Sequence, residues 1–359
     1  MIVNLHGGDI YSFARRTGRS YDEIIDFSAS INPLGPPESV LRAVRDNLGM
    51  VMHYPDPEMV EFREAVSQWR GVPFESVVPG NGSTEIIYLI MSFLHPRRVL
   101  IPAPDFSEYE KAARLGGATL FGHINLYEDM DAYINRRTLE SMPFYDMVFV
   151  SNPNNPTGRF FTPHEMEKMI NVVKNTGTYL VVDEAFVDFT GEESLSKFVL
   201  ENPNLIVLSS LTKFYAIPGL RIGFGVMHPN LAKMVFRYKE PWSVNTLAMA
   251  AGKAAIGDDK FREKTLEFMK SEKEFFEDSL EKRGITFYPS STNYYLLRHE
   301  SAEQLADFLE TKGILVRRCG NFEELGPEYI RVSVKSRGDN LRLFEEIDSY
   351  ERHSGSRNT

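Results

Sequence analysis

The sequence has very few residues that could form disulfides or cysteine-based sites. Cys319 is the single cysteine among 359 residues, so neither an intrachain disulfide, a redox pair nor a cysteine-rich metal site is possible. The sequence also has no uninterrupted apolar run that could span a bilayer, and its first residues show no basic region followed by an apolar stretch. We therefore expect a cytoplasmic protein that is neither secreted nor embedded in a membrane.

Basic residues are fewer than acidic ones. The 40 Lys and Arg against 50 Asp and Glu give a formal net charge of −10, which opposes non-specific binding to nucleic acid or to an anionic membrane. We expect neither as a partner, and an anionic ligand would have to be captured locally. The hydrophobic share of 42% is that of an ordinary globular protein with a sizeable core.

Short apolar runs rich in Val, Ile and Leu recur through the middle of the chain and predict buried strands. Helical patterns alternate with several of them, as in residues 163–175, where apolar residues form one stripe. This alternation predicts an α/β domain with a mostly parallel sheet. The runs lie at residues 99–103, 147–150, 179–182, 205–208 and 222–226.

The pattern changes after residue 258. Residues 259–282 are charged and helical, and shorter strand and helix patterns follow, which predicts a smaller α+β domain over residues 259–350. Residues 31–37 contain three prolines and cannot be helical, so we expect a stiff connector between domains there. The predicted division is an N-terminal arm and part of the small domain over 1–44, a large domain over 45–258, and a tail over 351–359, disordered from 354.

Lys213 lies just after one of the predicted strands. Residues 209–213 read Ser-Ser-Leu-Thr-Lys, which places the lysine at the carboxyl end of a strand, where open α/β sheets bind ligands. Desolvation there would lower the lysine pKa and free the amine to react with an aldehyde. The ordinary alternative for a single lysine is a solvated surface position.

Asp183 ends another predicted strand. A carboxylate that faces a pyridine nitrogen keeps the ring protonated and electron-withdrawing, so the ring can accept charge from a carbanion. A helix cap or a metal ligand is the alternative for such an acid.

Residues 79–85, Pro-Gly-Asn-Gly-Ser-Thr-Glu, precede an apolar helix. Glycines let a backbone approach a ligand closely, and the first amides of a helix form an anion site that suits a phosphate. The same residues also make a plain capping arrangement. Ser210, Thr212 and Arg221 could converge on the same phosphate.

These segments, with the turn Asn-Pro-Asn-Asn-Pro-Thr-Gly at residues 152–158, occur in an order that is not generic. Asp183 precedes Lys213 by 30 residues and Arg221 follows it by eight. The pattern resembles the fold type I, aspartate-aminotransferase-like family of pyridoxal-phosphate enzymes over essentially the whole chain. The resemblance implies that fold for the large domain, and pyridoxal 5'-phosphate as the cofactor.

The resemblance also implies roles for individual residues. Lys213 would carry the cofactor and later move the proton, Asp183 would bind the ring nitrogen, and Asn155 would donate to the ring hydroxyl. Phe106 would stack on the ring, and Tyr54 would reach the phosphate from a partner subunit, which implies a homodimer. The implied phosphate ligands are Gly82, Ser83, Ser210, Thr212 and Arg221.

Within the family, four segments look like those of the threonine-phosphate decarboxylases of cobalamin biosynthesis. Such an enzyme converts L-threonine O-3-phosphate into (R)-1-amino-2-propanol O-2-phosphate, so the resemblance implies a small anionic amino-acid phosphate as substrate. The segments are residues 6–8, 26–35, 212–221 and 241–245. The implied substrate-binding residues are His6, Ser30, Asn32, Arg317 and Arg331.

One departure concerns Phe186. It stands three residues after Asp183, where aminotransferases of the family usually have tyrosine, and a phenyl ring cannot donate a hydrogen bond. A histidinol-phosphate aminotransferase is nevertheless an open alternative, because the same lysine, aspartate and arginines would serve it. A non-catalytic cofactor-binding or regulatory protein is a third alternative, against which the intact Lys213 argues.

Overall fold

The predicted strands come together in one central sheet. In the computed structural model, which describes residues 6–125 and 136–355, seven strands form this sheet in the order β2-β8-β7-β6-β5-β3-β4. Its pairs are parallel except those of β8, which runs antiparallel to both neighbours. The predicted mostly parallel sheet is confirmed. The strands are β2 Val77–Gly80, β3 Arg98–Ala103, β4 Leu120–Asn125, β5 Met147–Ser151, β6 Tyr179–Asp183, β7 Leu205–Ser210 and β8 Gly223–Met227.

Both faces of this sheet are buried. Successive side chains of a strand point to opposite faces, and in β7 Leu205 and Val207 belong to one apolar cluster while Ile206 and Leu208 belong to the other. Helices cover each face, which explains why the strands appear in the sequence as continuous apolar runs. One face carries α4 Ser83–Leu94, α5 Glu108–Leu115 and α9 Pro229–Tyr238; the other carries α3 Val60–Arg70, α7 Pro163–Lys174 and α10 Thr246–Ile256.

The C-terminal part of the chain forms a second, antiparallel sheet. It follows the long helix α11 Asp259–Lys282, has the strand order β12-β13-β10-β9 and is accompanied by two further helices. The strands that follow α11 therefore form a sheet separate from the central one. The elements are β9 Thr286–Phe287, β10 Tyr294–Arg298, α12 Ala302–Thr311, β12 Arg317–Arg318, β13 Tyr329–Ser333 and α13 Arg337–Gly355.

The N-terminal segment is attached to this C-terminal part. Strand β1 Ile25–Asp26 pairs in parallel with β11 Ile314–Leu315, and residues 31–37 form neither helix nor strand. The division at residues 44, 258 and 350 stays a prediction. Further elements of the chain are α1 Ile10–Thr17, α2 Glu38–Asp46, α6 Arg136–Ser141 and α8 Leu211–Phe214.

Helix α13 is longer than expected. It continues to Gly355, so the prediction of a tail from residue 351 and of disorder from residue 354 is wrong as far as residue 355, and residues 356–359 lie outside the described ranges. Residues 337–355 contain no proline, so the sequence permits the helix to continue over this range. Among the described residues, none of the helices is long and apolar enough to cross a membrane.

Candidate active site

Three neighbouring parallel strands end in polar residues at the same edge of the central sheet. Ser151 ends β5, Asp183 ends β6 and Ser210 ends β7. Lys213 follows β7 in the one-turn helix α8, and its Nζ donates a hydrogen bond to Ser210 Oγ at 3.0 Å. The strand ends therefore bring the predicted lysine and aspartate to one place.

The environment of Lys213 destabilises its protonated form. Burial lowers the pKa of Lys213 to about 8, against the opposing effect of the Asp183 carboxylate and with a further lowering by Arg221. Phe186 contributes an apolar surface, with its ring centroid 5.8 Å from Nζ. An amine of this kind exchanges protons near neutral pH.

Asp183 is buried beside the lysine and is held by two donors. The Tyr109 hydroxyl donates to Oδ2 at 2.9 Å, and the Ala185 amide donates to Oδ1 at 3.0 Å. Burial raises the pKa of Asp183, although Lys213, Tyr109 and Ala185 act in the opposite direction. Sequence reasoning missed Tyr109; the available signal was its position three residues after Phe106 on the first turn of α5.

These groups open into a cavity of about 550 Å³. It is large enough for a cofactor together with a small substrate. Most of the predicted site residues line its wall: His6, Ser30, Ser83, Phe106, Asn155, Asp183, Lys213, Arg317 and Arg331.

The remaining predicted phosphate ligands lie together at the start of α4. A Cβ on Gly82, the N-cap of this helix, would collide with the Arg221 guanidinium, and a Cβ on Gly223 would lie 2.6 Å from the Ser83 amide nitrogen. Strand pairing places Gly223 next to Ser210, whose Oγ lies 2.8 Å from Thr212 Oγ1. Helix amides, hydroxyls and a guanidinium thus lie close together at the start of α4, a set of donors that suits a phosphate.

Arg331 connects three parts of the cavity wall. Its Nη1 donates to Asn155 Oδ1, and its Nη2 donates to the Ser28 carbonyl at 3.0 Å. Its Nε is buried and has no hydrogen-bond partner among residues 6–125 and 136–355. The hydrogen bond from Arg331 fixes the orientation of the Asn155 amide. Its Nδ2 is then the group that can donate to a ligand.

A second guanidinium, that of Arg317, lies nearby. It packs on the Phe322 ring at 5.0 Å, and burial lowers the pKa of Arg317 to about 10, with the Cys319 thiol opposing and Arg331 adding to this effect. An arginine remains charged at neutral pH even then. The wall therefore presents two desolvated cations, which would gain much from an anionic ligand.

His6 lines the cavity and is held there by Glu108, a residue that sequence reasoning missed. His6 Nε2 lies 2.9 Å from Glu108 Oε1, and the imidazole ring lies 5.5 Å from the Phe106 ring. Burial would raise the pKa of Glu108, but hydrogen bonds from Tyr88, His6 and Lys111 outweigh it and lower that pKa. No local motif marks Glu108, because its partner lies 102 residues away.

Ser30 and Asn32 have different surroundings. Ser30 lines the cavity and its Oγ lies 3.0 Å from Ser333 Oγ. The structure does not bring Asn32 to the cavity wall. Asn32 Nδ2 donates to the Phe214 carbonyl and to Thr265 Oγ1, and its backbone amide donates to the Lys213 carbonyl. Asn32 therefore secures the backbone around the lysine, and its contact with a substrate stays a prediction.

Tyr54 lies outside the cavity of its own chain. Its side chain is 81% exposed and packs against Trp242, with ring centroids 4.9 Å apart. This placement leaves the tyrosine free to contact another subunit, and its role there stays a prediction.

The residues of the cavity fit pyridoxal 5'-phosphate. Gly82, Ser83 and Arg221 would hold the phosphate, and Asp183 would bind the ring nitrogen. Lys213 would react with the aldehyde, while Asn155 would donate to the ring hydroxyl. Phe186, by contrast, offers no donor there.

Comparison with known proteins gives the same result. The model of the family "Aminotransferase class I and II" matches residues 22–347. The threonine-phosphate decarboxylase of Salmonella typhimurium is 38% identical over 344 residues, which cover 94% of each chain.

Two solved structures with 27% identity each also cover 91% of this chain and 99% of their own. They are the histidinol-phosphate aminotransferase from Clostridium acetobutylicum, with a TM-score of 0.83, and the L-threonine-O-3-phosphate decarboxylase from Porphyromonas gingivalis, with a TM-score of 0.81. The aspartate-aminotransferase-like α/β fold is thereby confirmed. The chain belongs to the class I and II aminotransferase family and is a pyridoxal-phosphate-dependent enzyme of the aminotransferase-like fold.

Proposed function

We propose that this enzyme decarboxylates L-threonine O-3-phosphate to (R)-1-amino-2-propanol O-2-phosphate, as a step of cobalamin biosynthesis. The observation that carries the proposal is the pair of buried guanidinium groups, Arg317 and Arg331, in the cavity that holds Lys213. A substrate with both a carboxylate and a phosphate matches two such cations. The 38% identity to a threonine-phosphate decarboxylase over 94% of the chain supports the same choice.

Lys213 and Asp183 would do the chemical work of the protein. When bound, pyridoxal phosphate withdraws electrons from the bonds of the substrate's α-carbon. Asp183 would hold a proton on the ring nitrogen, because its carboxylate, oriented by the Tyr109 hydroxyl and the Ala185 amide, would pair with the protonated ring. Lys213 Nζ would deliver a proton to the α-carbon after carbon dioxide has left, and a pKa of about 8 suits a group that gives and takes protons near neutral pH.

Arg331 and Asn155 would orient the substrate. The Arg331 Nε–H, buried and without a partner in the described part of the chain, is a donor that a substrate carboxylate could satisfy. Arg331 also fixes the side chain of Asn155 through its Nη1. The position of the carboxylate decides which bond breaks, so these two residues would control the outcome of the reaction.

We further propose a homodimer in which Tyr54 contributes to the partner's phosphate site. The support is a surface of exposed apolar side chains, which usually marks an interaction site. It comprises Leu48, Met50, Val51, Met52, Tyr54 and Trp242. A cytoplasmic location is proposed as well, on the support of the single cysteine, Cys319.

The second candidate is a histidinol-phosphate aminotransferase, favoured by the TM-score of 0.83 to such an enzyme. One experiment separates the two. The purified enzyme is incubated with threonine phosphate, and carbon dioxide and aminopropanol phosphate are measured. A parallel sample receives histidinol phosphate and 2-oxoglutarate, and glutamate is measured. We expect carbon dioxide in the first and no glutamate above background in the second. Glutamate without carbon dioxide would overturn the proposal in favour of transamination.

A further inference from the structure

Lys239 is a buried lysine that lies outside the cavity. Its side chain is only 2% exposed, and its Nζ lies 3.1 Å from Glu85 Oε1 and donates a hydrogen bond to Ser243 Oγ. Lysine is almost never fully buried unless its charge is paired, because removing an ammonium group from water is costly. The catalytic arrangement described above does not use this residue, so its burial needs another explanation.

The partner, Glu85, belongs to the loop that surrounds the phosphate position. It lies in the first turn of α4, three residues after Gly82, and its Oε2 accepts a hydrogen bond from the Asn81 amide. Glu85 therefore holds the loop in shape. The same carboxylate brings a negative charge close to the helix N-terminus that would receive a dianionic phosphate, and like charges there repel.

We propose that Lys239 and Glu85 are positioning residues of the cofactor's phosphate site. Glu85 fixes the backbone of the loop, and Lys239 neutralises the carboxylate so that it does not oppose the phosphate. The pair acts by charge and is therefore specific to the phosphate rather than to the rest of the cofactor. This inference rests on the dependence on pyridoxal phosphate and not on decarboxylation, so its test is independent of the substrate.

The Lys239 ammonium also connects the loop to the proposed subunit interface. Lys239 and Ser243 flank Trp242, the residue against which Tyr54 packs. Through its contacts with Ser243 and Glu85, Lys239 thus connects the segment that contains Trp242 to the phosphate loop of the same chain.

The test compares the affinities of the cofactor-free protein for two ligands: pyridoxal phosphate and pyridoxal, the same ring system without the phosphate. Binding is followed by the absorbance of the bound ligand, with no turnover. The measured quantity is the ratio of the affinity for pyridoxal phosphate to the affinity for pyridoxal. For Lys239→Met we expect this ratio to fall by about tenfold, because the unpaired carboxylate then repels the phosphate. For Glu85→Gln the ratio should stay equal or rise, because the amide still accepts from Asn81 while the ammonium attracts the phosphate. In the double variant the ratio should return close to that of the wild type.

Lys253→Met is the matched control. Lys253 pairs with Glu61 on the surface, where the two side chains are 53% and 78% exposed, and its loss should leave the ratio unchanged. Thermal unfolding of each cofactor-free variant shows whether it is folded.

An unchanged ratio in Lys239→Met would overturn the proposal. An equal fall in the ratio for Lys239→Met and for Glu85→Gln would also overturn it, since that pattern indicates a structural role without a charge effect. If Lys239→Met does not fold, Glu85→Gln alone decides, and a fall in its ratio refutes the proposal.

Discussion

Replacing Lys213 with methionine should make the cofactor-free protein more stable near neutral pH. Burial lowers the pKa of Lys213 from 10.5 to about 8, so near pH 7 the amine is protonated in the folded and in the unfolded chain. The folded state then carries the whole cost of burying the ammonium charge. Methionine has a similar length and no charge, so the variant removes this cost without opening a large cavity.

The size of the effect follows from the pKa shift. A change from 10.5 to about 8 corresponds to about 3 kcal/mol of unfolding free energy, at about 1.4 kcal/mol per unit. Lys213 faces a cavity that solvent enters, which screens part of the cost, so we expect a gain of about 2 kcal/mol. With an unfolding entropy of about 2 cal/mol/K per residue, the midpoint of thermal unfolding should rise by about 3 °C.

The pH dependence has a definite sign. The folded pKa of Lys213 lies below the unfolded value, so between about pH 8 and 10.5 the unfolded chain binds more protons than the folded one. This contribution makes the wild-type protein more stable as the pH rises through that window. The advantage of the methionine variant is therefore complete below about pH 8 and disappears towards pH 10.5.

The assay is thermal unfolding of the cofactor-free proteins near pH 7 and near pH 10, with Lys253→Met as the surface control. We expect Lys213→Met to exceed the wild type at the lower pH and to keep only about a quarter of that advantage at the higher one. A variant less stable than the wild type near pH 7, or a difference that does not depend on pH, would refute the reasoning about Lys213.

Three further predictions concern single residues. Arg331→Ala should keep the absorbance of the bound cofactor but lower kcat/KM for threonine phosphate at least about tenfold, because a charge-assisted contact contributes about 1.5–3 kcal/mol. Arg331→Lys should recover part of this loss. Unchanged kinetics of Arg331→Ala would mean that the substrate binds elsewhere. Glu108→Gln should raise KM more than it lowers kcat, since Glu108 Oε1 lies 2.9 Å from His6 Nε2 and positions this ring. An unchanged KM would show that His6 does not contribute to substrate binding. Mixing inactive Lys213→Ala and Tyr54→Ala subunits should restore part of the activity if the sites are shared, and no restoration contradicts a shared site.

The sequence predicted the strands that are buried on both faces, but not all strands of the sheet. Strand β2 contains Pro79 and Gly80, and β4 contains Gly122, His123 and Asn125, so neither forms an apolar run. Their strand form is set by pairing with neighbours rather than by local propensity. The antiparallel direction of β8 was not predicted either, because an apolar pattern does not encode strand direction.

The candidate site was predicted where a residue follows a strand end, and missed where a contact joins distant segments. Lys213 and Asp183 could be placed together because parallel strands end at one edge of the sheet. The contact between Tyr109 and Asp183 spans 74 residues, so only the folded chain reveals it. Asn32 was predicted at the substrate, but its amide is satisfied by backbone and side-chain groups behind the wall.

The contacts of Asn32 have a consequence for how the enzyme assembles. Asn32 binds the carbonyls of Lys213 and Phe214 and the hydroxyl of Thr265, partners up to 233 residues away along the chain. Contacts of such high sequence separation form late, because a long loop must close first. During synthesis, Asn32 can therefore complete this set of contacts only after residue 265 has left the ribosome. Competence to take up the cofactor is accordingly a property acquired after most of the polypeptide has been made.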